Sequence, residues 1–132
     1  MAVSPDQFRI VYFQGHPEYD YNSLLKEYKR EVLRFIAGEI NLYPPHPENS
    51  FSETAASIAD EYQAIILASQ DANTPIPPFP EDAIAQHLDN TWGDTGKALF
   101  NNWLGLVYQL TALERKRPFS PGIDPQNPLG LR

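Results

Sequence analysis

Cysteine is absent from the 132 residues of this chain, and methionine occurs once. The first absence excludes disulfides and thiolate metal sites, and it denies the chain a cysteine nucleophile of its own. There are only three histidines, His16, His46 and His87. No apolar run reaches the roughly 18 residues needed to span a bilayer, and no secretory h-region stands at the start. No Asn-x-Ser/Thr acceptor is present. Net charge is −7, and the basic residues form no stripe that would track a phosphate backbone. The run Arg115-Lys116-Arg117 is short and reads as solvated charge favouring a helix C-terminus. The expectation is a soluble cytoplasmic protein with neither nucleic acid nor membrane as partner.

Proline, by contrast, is plentiful: 13 residues, about double the usual share of roughly 5%. The prolines gather at 44–47, 75–80 and 118–128, leaving clean segments between them. Phe8–Phe13 reads FRIVYF, a short β-branched and aromatic run that predicts one buried strand, ended by Gly15 and Pro17. Asn22–Ala37 has helical period, with Leu24, Tyr28, Val32 and Phe35 on one face, Leu25 and Ile36 on its flank, and Gly38 placed as a C′ glycine. Lys26, Glu27, Arg30 and Arg34 fall on the far side. Ser50-x-x-Glu53 reads as a capping box opening a helix to about Ser69, with Ile58, Tyr62, Ile65 and Ile66 as its stripe. Glu81–Leu88 is a short helix entered through Pro80. Asp94 caps a last helix to about Leu113, whose apolar set is Leu99, Phe100, Trp103, Leu104, Val107 and Leu110.

The reading is therefore α/β and helix-rich, one strand plus about four helices. A lone strand cannot satisfy its own backbone donors and acceptors. A second copy, a second chain or a missing N-terminal region is expected to complete the sheet.

The densest chemistry lies at Gln14-Gly15-His16-Pro17-Glu18-Tyr19-Asp20, just past the strand's carboxyl end, where α/β proteins gather functional groups. His16 is the candidate base and Glu18 the carboxylate that orients it. By spacing alone, a histidine two residues from a glutamate is also a common surface pair, so the residues leave both readings open. His46, Glu48 and His87 match no ligand spacing, so no metal site is expected.

The segment Gly15-His16-Pro17-Glu18-Tyr19-Asp20, followed by Leu24, Glu27, Arg30 and Val32, resembles the homoserine O-succinyltransferase and O-acetyltransferase family. That family falls within the class I glutamine amidotransferase-like superfamily. Asn41-Leu42-Tyr43-Pro44 is similar to its Asn-Tyr-Phe-Pro turn. Trp92, Leu99-Phe100-x-Asn102-Trp103-Leu104 and Val107-Tyr108-Gln109 are similar to its C-terminal helix. The resemblance implies the C-terminal portion of a flavodoxin-like domain over 1–113, with 50–91 as a helical insertion and 114–132 as an irregular tail. It implies acyl transfer from acyl-CoA to L-homoserine in methionine biosynthesis. His16 and Glu18 are then the catalytic pair, and Arg30 holds the homoserine carboxylate. Acyl-CoA serves as co-substrate, no cofactor is required, and the cysteine comes from another segment or chain. Two other expectations stand beside this one: a catalytically inactive relative acting as an interaction module, and a glutamine amidotransferase-like subunit.

Overall fold

The computed structural model of the chain describes residues 1–5 and 8–131. Two very short strands, β1 (Ala2–Val3) and β2 (Val11–Tyr12), precede four helices: α1 (Ser23–Ile36), α2 (Glu53–Ala72), α3 (Glu81–Ala85) and α4 (Gly93–Leu110). The fold is α/β and helix-rich. The strands pair antiparallel, Ala2 opposite Tyr12 and Val3 opposite Val11. The single buried strand expected over 8–13 is thus corrected in two ways. Only Val11–Tyr12 is strand, and its neighbour comes from the start of the same chain. Nor is the run buried: Phe8 is, but Ile10, Tyr12 and Phe13 face solvent. So short a ribbon has no second layer to cover its faces.

The chain divides into two compact units, residues 1–18 with 94–132, and residues 19–93.

In the 19–93 unit, α1, α2 and α3 enclose one core of Leu25, Tyr28, Val32, Ala55, Ala59, Tyr62, Ile66 and Ile84. On α1 the buried set is Leu25, Tyr28 and Val32: Tyr28 and Val32 come from the expected face, and Leu25, from its flank, is buried in place of Leu24. The helix ends as its sequence predicts. Gly38 sits at φ 74°, its N–H bonds Phe35 O at 3.0 Å, and Glu39 N bonds Arg34 O at 2.9 Å. That Schellman pairing satisfies carbonyls the helix leaves open, in a left-handed conformation that glycine adopts at no steric cost.

The start of α2 differs from the expected box at Ser50. Asp89 N bonds Ser50 O, Phe51 bridges Leu88, and Ser52 N bonds His87 O. This extended pairing holds 50–52 out of helix, so the cap moves to Ser52, whose Oγ accepts from Ala55 N at 3.2 Å. The buried stripe is Ala55, Ala59, Tyr62, Ile66 and Ser69; Ile65 is exposed. Tyr62 and Ile66 are buried as expected, and the small residues Ala55, Ala59 and Ser69 take the other three positions because α2 packs closely on its neighbours. Both proline-rich loops then contribute rings. Tyr43 packs edge-to-face with Tyr28 and Phe35, and Phe79 packs against Tyr28 and Tyr62. Tyr62 Oη donates to Pro77 O at 2.8 Å.

In the other unit, Phe8 is buried, Trp103 Nε1 of α4 donates to Phe8 O at 2.6 Å, and Phe119 packs 6.1 Å from Phe8. Arg9 stacks over Phe119 and donates to Pro118 O. Residues 111–131 contain no helix or strand, yet these contacts and the Ser120 N to Leu110 O bond tie 118–120 down. Among the described residues no helix is long and apolar enough to cross a membrane.

Candidate functional site

His16 and Glu18 stand in the turn that leaves β2, in the 1–18 segment. Pro17 fixes the backbone between them, so the two side chains emerge on the same side of a tight bend. His16 Nδ1 lies 2.8 Å from Glu18 Oε1. Both side chains are well exposed, 59% and 68%. The hydrogen bond from His16, followed by a backbone hydrogen bond, holds the Glu18 carboxyl below the usual carboxylate range. Glu18 is therefore the anionic member of the pair at neutral pH. With its carboxylate on Nδ1, the imidazole is oriented for proton transfer through Nε2.

A second feature fixes this bend, and the sequence reading missed it. Gly96, in the first turn of α4, lies against the carbonyl of Pro17, where a Cβ would come within 2.5 Å of the oxygen. Any side chain there would displace the backbone between His16 and Glu18. The signal available in the sequence was the pair Gly93 and Gly96 at the start of an otherwise ordinary helix.

Arg30 belongs to the other unit, on the outward side of α1. Its Nε donates to Glu31 Oε1 at 3.1 Å. It lines an open groove of about 400 Å³ together with Lys26, Lys29, Leu33, Arg34 and Glu39. Two of these cations are engaged within the fold: Lys29 with Glu81 of α3, and Arg34 with Glu31 and Glu39. The Glu39 hydrogen bond, and then the charge of Glu31, raise the Arg34 guanidinium further above its ordinary value. In the same unit Tyr19 Oη donates to Glu27 Oε1 at 2.5 Å, and Trp92 Nε1 donates to Tyr19 O at 3.0 Å. Trp92 thereby anchors the residue that directly follows Glu18.

Among the described residues no group of three or more His, Asp or Glu could hold a metal ion. His46 instead pairs with Asp60 at 3.1 Å and packs against Tyr28 and Phe51. What the two regions offer is a histidine–carboxylate pair suited to moving a proton, and a cationic groove suited to an anion.

A family model described as homoserine O-succinyltransferase matches residues 1–113. The homoserine O-succinyltransferase of Methylococcus capsulatus is 58% identical over 132 residues, 99% of this chain and 37% of that protein. Those of Nitrosococcus oceani and Methylobacter tundripaludum are 57% and 56% identical over 100% and 99% of this chain, and again 37% of theirs. The chain thus spans a little over a third of the length of these relatives. No solved structure matches it. With the family model covering most of its length, the chain belongs to the homoserine O-succinyltransferase family.

Proposed function

We propose that this chain is the C-terminal part, or a subunit, of a homoserine O-acyltransferase of methionine biosynthesis, acting in the cytoplasm. The observation that carries the reading is the His16–Glu18 pair at 2.8 Å, in a chain whose relatives are homoserine O-succinyltransferases. In this reading a cysteine outside the chain attacks the thioester of acyl-CoA, and coenzyme A leaves as its thiol. His16 then takes the proton of the homoserine hydroxyl as that oxygen attacks the acyl-enzyme. The cysteine is released when the new ester forms. Glu18 holds the imidazole and stabilises its cationic form. Arg30 holds the homoserine carboxylate, for which a guanidinium fork is well matched. The sheet is completed as a flavodoxin-like domain by the segment or chain that brings the cysteine, and no cofactor is required.

The test is reconstitution with a cysteine-bearing partner, followed by assay with succinyl-CoA and L-homoserine. His16→Ala should lower kcat by about 10²–10⁴-fold, the usual contribution of a general base. Wild-type turnover in that variant removes His16 from the mechanism, and turnover by this chain alone removes the external cysteine. The absence of cysteine favours one other reading, an inactive relative serving as an interaction module. Reconstituted activity excludes it.

A further inference from the structure

Ten Lys and Arg residues serve this chain of net charge −7, and four of them line one groove on the outward side of α1. Like charges three and four residues apart on a helix repel one another. Acidic partners offset part of that repulsion. Lys29 is held by Glu81, and Arg34 is held by Glu31 and Glu39. The other two cations are differently placed. Lys26 makes no ion pair among the described residues, and Arg30 spends only Nε, on Glu31. The terminal nitrogens of Arg30 make no hydrogen bond among those residues. Lys26 and Arg30 are one helical turn apart, so their heads reach the same side of the groove. Leu33 gives it an apolar wall.

We infer that Lys26 and Arg30 together form a binding site for one small oxyanion, a carboxylate or a phosphate. Arg30 contributes the planar fork and Lys26 the point charge, and both charges are then compensated by the ligand. The groove has the volume of a small-molecule site, and only one of its six lining residues, Glu39, is acidic. The new element is Lys26. The inference rests on the proposed role of Arg30 only for the case in which the anion is an amino-acid carboxylate. The phosphate of a coenzyme A ester would supply the same chemistry.

The experiment is an amide chemical-shift titration of the full ¹⁵N-labelled chain in phosphate-free buffer. L-homoserine is the carboxylate probe and inorganic phosphate the phosphate probe. Saturable shifts at amides 26–34 with either probe are expected. Saturation by homoserine alone assigns the carboxylate source, and saturation by phosphate alone assigns the phosphate source. Lys26→Gln and Arg30→Gln should each weaken binding by about threefold to fivefold, as expected for one exposed charge contact. Lys26→Arg should restore it, and Lys97→Gln, on α4, should match wild type. No saturable shift with either probe, or wild-type binding by Lys26→Gln, overturns the inference. No nucleophile is needed for this measurement. Its failure would leave the acyl-transfer assay standing, and failure of that assay would leave the groove standing.

Discussion

The 19–93 unit and the unit formed by 1–18 with 94–132 use apolar surface in opposite ways. In the first, three helices and two proline-rich loops bury Leu25, Tyr28, Val32, Tyr62, Ile66 and Ile84 almost completely. In the second, the buried apolar residues among those described are Phe8, Leu110 and Pro128. There α4 shows Phe100, Leu104 and Tyr108 to solvent at 55%, 49% and 72%, one ridge at four-residue spacing. One unit therefore has a core of its own. The other carries His16 and Glu18 on a scaffold held by a few specific contacts: the Trp103–Phe8 hydrogen bond, the Arg9–Phe119 stack and the Gly96–Pro17 approach. The lesson is that the candidate proton-transfer pair sits where the chain buries least.

The comparison breaks if side chains in both units matter equally. Ile66→Ala, in the first core, should cost about 2–5 kcal/mol of unfolding free energy. Leu104→Ala, on the exposed ridge of α4, should stay within about 0.5 kcal/mol. Urea unfolding of the two variants measures both, and similar losses would mean that the ridge is covered in solution.

Within α4 the contrast can be sharpened with two glycines. Nothing lies within 4 Å of a Cβ built at Gly105, so Gly105→Ala should gain about 0.5–1 kcal/mol from helix propensity. Gly96→Ala should lose about 1–3 kcal/mol, because the added carbon meets the Pro17 carbonyl. Thermal unfolding gives the two signs. Equal gains would show that α4 does not clamp the His16–Glu18 bend.

The smallest effect concerns alkaline pH. Burial, and then the hydrogen bond to Tyr43, raise the Tyr28 phenol well above its ordinary value. A group raised in the folded state stabilises fully below its unfolded pKa, here about 10. That contribution is lost as pH rises from there towards the folded value. Stability of the 19–93 unit should therefore fall above about pH 10, by roughly 1 kcal/mol per pH unit from Tyr28. Denaturant midpoints between pH 8 and 11 should show a shallower fall in Tyr28→Phe. An unchanged slope would assign the effect to other groups.

Much of the helical part was legible because its signals are local. The period of α1, the glycine that ends it, and the acids and proline at the start of α3 act within one or two turns. The errors share a different cause. Ser50 and Ser52 are both competent caps, and the choice falls to Ser52 because 50–52 pairs with 87–89, residues some 37 positions away in the chain. Ile65 looked like core and Ala59 did not, yet close helix packing reversed them. The partner of β2 was missed because Ala2–Val3 is too short to carry a period.

For the candidate site, the residues by themselves determined chemistry: an imidazole, a proline-set bend and a carboxylate, in an order similar to a known family, with no thiol to accompany them. Only the tertiary structure decided that His16 Nδ1 meets Glu18, that Gly96 holds the bend between them, and that Lys26 shares a groove with Arg30. The physical reason is range. Residue type and near-neighbour spacing fix what a group can do, whereas distances and the supply of compensating charge depend on segments that meet only after folding.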